Sequence, residues 1–341
     1  MPRPVLRDYF NITYRKIPIL MLGREAYIDT SLQTTALEHY LPPSPQHPTL
    51  YPYKGGRTTS RLLTSYFTDR PFFRAVCGLM PASVWRSQFG RDRASLIGHT
   101  LDPEKLDRKI PEMMSSLDLH LSMLESLLLD RQGIVDGIHR AKPLWMSSTR
   151  QDHRPGMLDI SVFYMLRWGR ETALGYNVFD LTAGEVPDGG EPGAEALFER
   201  YPMVNAWFDR MQTYFDRLPS TETRIEKDDI KGLETVVDQL RATNYEHEVP
   251  VLPTPAGRNV TLDEQRGLVM GANISVWPSD TGMNHPSVGK LLASTPEEIV
   301  IEPDVLADGD AAKTVKLRLH FPRVEFRVKA TGRIDRGESK L

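Results

Sequence analysis

The sequence predicts an α+β fold in which a short strand-containing segment, a long helical region and a β-rich region follow one another. Three observations lead to this fold class. Two short apolar runs separated by a turn occupy residues 17–28, helical periodicity dominates residues 59–243, and alternation of apolar and polar residues begins after residue 250. The predicted domains are therefore residues 1–43, 44–243 and 250–341.

The first segment reads IPILMLGREAYI over residues 17–28. A Gly-Arg-Glu turn separates its two apolar runs, which predicts a β-hairpin. The residues that follow, DTSLQTTALEHYLPP, predict a helix, because Asp29 or Thr30 can cap its first turn and Pro42 with Pro43 stops it. A proline- and glycine-rich loop is expected next.

Apolar residues recur at helical spacing through the long middle region. Two stripes define its clearest helices, and their members are Leu117, Leu121, Leu124 and Leu128 in one and Val204, Trp207, Phe208, Met211, Phe215 and Leu218 in the other. Residues 182–194, TAGEVPDGGEPGA, have the composition of a surface loop.

The pattern changes to β structure after residues 245–259, whose three prolines and two glutamates indicate a linker. The stretches ANISVWP, EEIVIEP and TVKLRLHFPRVEFRVKA alternate apolar and polar residues. We expect residues 315–320 to pair with residues 324–329 in an antiparallel hairpin around Phe321-Pro322-Arg323.

Composition excludes several classes of protein. The net charge of −3 shows no basic excess for nucleic acid, and no apolar run is long enough to span a bilayer. The single cysteine, Cys77, excludes a disulfide framework and is expected to be a buried structural residue. The N-terminus lacks a signal-peptide pattern, so the predicted location is the cytoplasm, with no nucleic-acid or membrane partner.

Two aspartates suggest a remote alternative function for the chain. Asp29 in IDTS and Asp280 in SDTG resemble the paired motifs of aspartic proteases, in which two carboxylates share a proton. Those enzymes are almost wholly β, whereas the residues between these aspartates read as helix. Asp280 is better explained as a turn residue.

The strand, turn, strand and helix of residues 14–42 resemble the second half of the thioredoxin-like domain of glutathione S-transferases. In that family an X-Pro bond at the strand start is cis, and an acidic residue with a hydroxyl residue opens the next helix. Ile17-Pro18 and Asp29-Thr30 match these positions, with Thr30 where the family has serine.

The helical region adds to the resemblance. RPGMLDISVFYMLRW is similar to the family's core helix, with Asp159 at the aspartate of its capping box and Gly156 where serine or threonine is usual. The likeness covers about residues 1–217 and is greatest to fungal members with a β-rich C-terminal extension. It implies a partial thioredoxin-like domain, an all-helical glutathione transferase C-terminal domain and a β-rich extension.

This resemblance implies a glutathione site. The backbone at Ile17 and Pro18 would meet the cysteinyl part, while the start of the helix would take the γ-glutamyl carboxylate and Asp29 its ammonium group, with Thr30 as a further donor. Arg3 and Lys16 are considered for the glycyl carboxylate.

The implied activity is conjugation or isomerisation of a small electrophile with glutathione as co-substrate, in fungal secondary metabolism. The catalytic residue is unknown, because the chain is expected to begin after the family's first strand, helix and second strand, which carry the thiol-activating Tyr, Ser or Cys. Tyr9 and Tyr14 lie near the start of the chain and could approach the site, but their spacing does not assign either of them to thiol activation. A non-catalytic binding or scaffold protein stays open, as does a homodimer.

Overall fold

The computed structural model describes residues 4–45, 47–52, 55–130, 134–135, 138–139, 145–146, 154–172, 200–219, 223, 225, 229–245, 247–306 and 313–331. The loop predicted at residues 182–194 lies outside these residues. The chain divides into two compact units. We call them the sheet unit, formed by Met1–Leu41, Asp92–His99 and Glu222–Leu341, and the helical unit, formed by Pro42–Arg91 and Thr100–Thr221.

The described helices are α1 (Pro4–Phe10), α2 (Thr30–Tyr40), α3 (Gly56–Leu63), α4 (Phe73–Cys77), α5 (Ala82–Arg86), α6 (Gln88–Ile97), α7 (Pro103–Asp107), α8 (Ile110–Asp130), α9 (Met157–Thr172), α10 (Pro202–Asp216), α11 (Ile230–Ala242) and α12 (Val260–Gln265). A π-helical segment, Thr64–Phe72, joins α3 to α4. The described strands are β1 (Ile19–Leu22), β2 (Glu25–Ile28), β3 (Ile134–Val135), β4 (Ile138–His139), β5 (Asn273–Pro278), β6 (Ser287–Ser294), β7 (Glu298–Pro303), β8 (Arg318–Pro322) and β9 (Phe326–Ala330).

Seven of these strands form one sheet in the order β1-β2-β8-β7-β6-β5-β9. Strands β2 and β8 run parallel, with Glu25 opposite Arg318, and the other neighbours run antiparallel. Strands from the two ends of the chain therefore share one hydrogen-bonded ladder, in which β1 is an edge strand.

The hairpin predicted between residues 315–320 and 324–329 is wrong. Both edges of β8 are occupied, by β2 and β7, and β9 pairs with β5 instead. Alternation in the sequence reports which face of a strand is buried, and it does not identify the neighbouring strand.

The connection from β8 to β9 shows that the sheet is curved. Four Cα–Cα steps from Pro322 to Phe326 reach at most about 15 Å. The four strand spacings from β8 to β9 would take about 19 Å in a flat sheet. The strands β8-β7-β6-β5-β9 therefore roll toward a barrel, and the rings of Phe321 and Phe326 meet with centroids 5.7 Å apart.

The N-terminal hairpin and its helix agree with the sequence prediction. Strands β1 and β2 pair through a turn at Gly23, whose φ of 58° suits a residue without a side chain. Helix α2 follows with Asp29 as its N-cap, and the Ile17-Pro18 peptide bond is cis, as predicted.

The core of the sheet unit lies between the sheet and the helices packed on it. Its buried members include Ile28 on β2, Leu291 on β6, Ile301 on β7 and Leu319 on β8, and Val237 of α11 belongs to the same cluster. Asp229 is the N-cap of α11, and its carboxylate accepts a hydrogen bond from the backbone N–H of Gly232. Such caps typically contribute about 1 kcal/mol. Leu233 and Leu240 of the same helix pack against this core.

Both predicted apolar stripes contribute to the core of the helical unit. The leucine stripe of α8 is 0–3% exposed, and Val204, Trp207, Phe208 and Met211 of α10 are also buried. Leu218 departs from the prediction, because α10 ends at Asp216 and Leu218 is 48% exposed. Cys77, expected to be buried, is partly exposed at the end of α4.

Asp159 has the capping role that the family resemblance implied. Its Oδ2 accepts a hydrogen bond from the backbone N–H of Gly156 at 3.1 Å, just before α9 begins. Asp159 is fully buried, and its Oδ1 accepts from Met146 N at 2.6 Å and from Trp207 Nε1 at 2.9 Å.

Within the part of the chain that the structure describes, no helix combines the length and apolar character needed to cross a bilayer.

Candidate functional site

The site predicted from the sequence lies where β1 begins and α2 starts, and Gln33 connects these two points. The side chain of Gln33 is 5% exposed, and its amide donates to Pro18 O at 2.8 Å and to Tyr27 O at 3.0 Å. Because Gln33 is in the first turns of α2, these bonds fix the helix start relative to the Pro18 carbonyl. Gln33 was not predicted, although a polar residue beside Leu32 on the buried side of α2 is a usable signal.

Asp29 adopts an unusual backbone conformation at the start of α2, with φ of 71° and ψ of 137°. A residue with a Cβ pays a conformational cost there, and such strain is concentrated at functional positions. Its Oδ1 accepts from Ser31 N at 3.0 Å and from Ser31 Oγ at 2.6 Å. Among the described residues nothing donates to Oδ2, so the carboxylate keeps one oxygen for another donor.

Thr30 and Ile17 are both accessible to a ligand. Thr30 is exposed, and its hydroxyl donates to no described residue, while its carbonyl accepts from Thr34 Oγ1 at 3.0 Å. Ile17 is 59% exposed, and Pro18 beside it is exposed as well. The helix start adds backbone N–H groups and the positive end of the α2 dipole.

A loop from the C-terminal part of the chain approaches the same place. Lys16 Nζ lies 2.6 and 2.7 Å from the two carboxylate oxygens of Asp280, so the cation beside Ile17 is already paired. Asp280 binds Lys16 and Asp29 binds Ser31, which is not the arrangement of two carboxylates sharing one proton. The geometry thus removes support for the protease alternative. Arg3 lies outside the described residues.

Tyr14 is close to both aspartates but is unsuited to act as an anion. It is 5% exposed and packs against Phe326 with ring centroids 5.9 Å apart. Burial, together with the negative charges of Asp29 and Asp280, raises the pKa of Tyr14 far above its ordinary value of 10.0. The phenol therefore stays protonated at all ordinary pH values.

A second polar cluster, around Arg15, was not predicted. Arg15 Nη2 pairs with Asp92 Oδ1 at 2.7 Å, and Arg15 Nη1 lies 3.0 Å from His285 Nε2. Burial and the Arg15 charge lower the pKa of His285 below its ordinary value of 6.5, so the ring is neutral near pH 7. Since a guanidinium only donates, Nε2 accepts and the ring proton is on Nδ1.

The arrangement supplies contacts for a zwitterionic ligand rather than a metal. A helix start, a threonine hydroxyl and one carboxylate oxygen suit the α-carboxylate and ammonium of an amino acid group. No group of three or more His, Cys, Asp or Glu side chains placed to hold a metal ion occurs among the described residues.

Comparisons with known proteins agree with this architecture at the level of the fold. No protein-family model matches the sequence, and no curated protein matches it. Among solved structures, the chain is similar to a GST-like protein from Pseudomonas syringae, with a TM-score of 0.57 and 18% sequence identity. The match covers 97% of this chain and 87% of that one. The likeness supports a glutathione transferase-like fold.

Proposed function

We propose that this chain binds the γ-glutamyl end of glutathione at the start of α2. The observation that carries the proposal is Asp29, which is held in a strained conformation with one carboxylate oxygen left for a further donor. The exposed Thr30 hydroxyl and the helix N-terminus lie next to it in the chain. Asp29 would pair with the ammonium group, and the α-carboxylate would accept from Thr30 and the first backbone N–H groups of α2.

The proposed reaction is conjugation or isomerisation of a small electrophile by the bound thiol. A thiol of pKa near 8.5 is only a few per cent thiolate at neutral pH, so activation needs a nearby donor or cation. A role in fungal secondary metabolism and a homodimeric assembly belong to the same proposal.

Binding without catalysis is the second candidate function, and Tyr14 favours it. A phenol whose pKa is raised is a weaker proton donor than an ordinary tyrosine and does not form the anion. Lys16, the cation next to Ile17, is paired with Asp280. Of the described groups near the site, these two therefore contribute little to thiolate formation.

Calorimetry with glutathione and with Cys-Gly, which lacks the γ-glutamyl group, tests the binding site. We expect Asp29→Asn, which keeps an N-cap oxygen but removes the charge, to weaken glutathione binding about ten-fold or more. Cys-Gly binding should be unchanged. Thr34→Ala, one turn further along α2, is the matched control and should leave both affinities unchanged.

Equal glutathione affinity for Asp29→Asn and the wild type, with circular dichroism unchanged, would remove the proposed site. A conjugation assay with glutathione and an aromatic chloride then separates the two functions. Turnover above the uncatalysed rate that is lost in Asp29→Asn supports a transferase, whereas binding without turnover supports the non-catalytic protein.

A further inference from the structure

A cavity of about 660 Å³ lies in the sheet unit and is lined by none of the residues assigned to the glutathione site. Its lining includes Gly257, Arg258, Val260, Asp263, Pro296 and Arg323. These residues come from α12, the loop before it, the β6–β7 turn and the residue after β8. The volume falls within the range of about 300–1,000 Å³ that is typical of small-molecule sites.

The charges around the cavity do not cancel. Asp263 is 2% exposed and is held between two arginines, with Arg258 Nε 3.1 Å from Oδ2 and Arg323 Nη2 3.0 Å from Oδ1. Ser294 Oγ also donates to Oδ2 at 2.7 Å. One carboxylate thus meets two guanidinium groups, which leaves an excess of one positive charge at the cavity wall.

Arg323 has an unused donor at this point. Its Nε is buried and has no hydrogen-bond partner within the described residues. The Nη1 groups of Arg258 and Arg323 also donate to no described residue, whereas Arg258 Nη2 donates to Leu268 O at 2.6 Å. The two Nη1 groups are therefore the donors left for an acceptor in the cavity.

Another part of the cavity wall is apolar. Val260 is 49% exposed and Leu262 is 47% exposed, and Pro296 adds a further apolar surface. A Cβ added at Gly257 would meet nothing within 4 Å, so there is open space beside that residue. The wall therefore suits a ligand that has an anionic end and an apolar body.

We propose that this cavity binds a small monocarboxylate, with its carboxylate on the Arg258 and Arg323 guanidinium groups and its apolar body against Val260 and Leu262. A single negative charge balances the excess of one positive charge. Arginine forks match carboxylate geometry better than they match a neutral oxygen. The site is separate from the proposed glutathione site, because it uses none of the same residues.

Calorimetry with 4-phenylbutyrate and with neutral 4-phenylbutan-1-ol tests the proposal. We expect saturable binding of the acid and at least ten-fold weaker binding of the alcohol. Val260→Glu places a carboxylate in the exposed wall, at the first position of α12 where an acidic residue suits the helix, and should weaken binding of the acid about ten-fold or more. Val260→Gln has nearly the same size without the charge and should bind within about two-fold of the wild type.

Nitrogen-detected NMR of the arginine side chains supplies the second measurement. The Arg323 Nε–H signal, identified by its loss in Arg323→Lys, should shift on adding 4-phenylbutyrate and not on adding the alcohol. The proposal is overturned if the acid does not bind saturably, if acid and alcohol bind equally, or if Val260→Glu and Val260→Gln bind alike. An unmoved Arg323 signal at saturating acid would also overturn it, and the cavity would then hold water only.

Discussion

The helical unit and the sheet unit each bury carboxylates, and they surround them differently. In the helical unit, Asp159 accepts hydrogen bonds from two backbone N–H groups and the Trp207 indole, and the charge of Arg210 also acts on it. In the sheet unit, Glu298 is fully buried and its Oε1 lies 2.6 Å from His320 Nδ1, while Glu25 Oε2 lies 2.7 Å from His320 Nε2.

The sheet-unit cluster includes a second cation. Arg318 is 1% exposed, with its Nε 2.8 Å from Glu25 Oε1, and its Nη1 donates to Glu248 O at 3.1 Å. Glu298 Oε2 in turn accepts from Leu252 N at 2.8 Å. The cluster therefore joins β2, β7, β8 and the linker before α12, which are far apart in the sequence.

Asp159 accepts from permanent donors, whereas Glu298 and Glu25 combine a permanent donor with the titratable ring of His320. Backbone and indole N–H groups do not lose their protons at ordinary pH, whereas an imidazolium does. Burial lowers the pKa of His320, but hydrogen bonds to Glu25 and Glu298 outweigh it, so the pKa lies above the ordinary 6.5. Burial likewise raises the pKa of Glu25, and bonds from His320 and Arg318 outweigh it, so the pKa lies below the ordinary 4.5.

The largest effect is expected from Asp159→Ala, which leaves three buried N–H groups without their acceptor. At about 1–3 kcal/mol for each group, the free energy of unfolding should fall by roughly 4 kcal/mol or more. Hydrogen exchange should locate the loss in α9 and α10 and leave β7 and β8 protected. Asp118→Ala, which removes a 29%-exposed acceptor of Tyr201 in the same unit, is the control and should cost about 1 kcal/mol. Similar losses for the two variants would contradict the role given to Asp159.

A somewhat smaller loss is expected from Arg318→Met, which keeps the apolar stem but leaves Glu25 with His320 as its remaining described cation. Removing one partner of a buried ion pair typically costs about 3–5 kcal/mol. Because the Glu25 side chain is 13% exposed, this cost is reduced, and we expect the free energy of unfolding in urea to fall by about 3 kcal/mol. Lys316→Met is the matched control, because Lys316 is 57% exposed and pairs with Glu302 at the surface. Its cost should stay below about 1 kcal/mol. If both variants unfold alike, the buried cluster does not stabilise the sheet.

The pH dependence sharpens the contrast between the units. Because the folded pKa of His320 is raised, its stabilising contribution is fully present below the unfolded value of 6.5 and is lost as pH rises through the folded value. The free energy of unfolding of the sheet unit should therefore fall by up to about 1.4 kcal/mol per pH unit as the pH rises from the unfolded to the folded pKa of His320. His320→Gln should abolish this slope, as followed by urea unfolding from pH 6 to 9. An unchanged slope in His320→Gln would assign the pH dependence to another group.

The smallest effect concerns Asp29, another carboxylate that resembles Asp159 in accepting hydrogen bonds from permanent donors. Ser31→Ala removes the hydroxyl bond to Asp29 Oδ1 and leaves the backbone bond in place. We expect a stability loss of about 0.5–1 kcal/mol and a glutathione affinity lowered several-fold, measured by calorimetry. Thr35→Ala removes a hydroxyl bond to Ser31 O on the same helix and should leave the affinity unchanged. Equal affinities for the wild type and Ser31→Ala would show that this bond does not position Asp29 for binding.

Local features of the fold were predictable because nearby residues produce them. The turn at Gly23, the cap at Asp29 and the leucine stripe of α8 each depend on residues within a few positions of one another. Their periodicity and capping chemistry are visible in the sequence without any knowledge of the partners. The Ile17-Pro18 cis bond and the capping role of Asp159 were predicted from a family resemblance rather than from such a pattern.

Long-range features were decided only by the tertiary structure. The sequence identified β8 and β9 as strands but paired them with each other, because alternation does not reveal that β2 and β7 occupy both edges of β8. Lys16 and Asp280 are 264 positions apart, and Glu25 and His320 are 295 apart. No periodic signal connects residues at such separations. The pairing of Glu25 with His320 follows from the sheet order, which places β2 beside β8 and so brings ionisable groups from the two ends of the chain to a buried position where close partners set their charge.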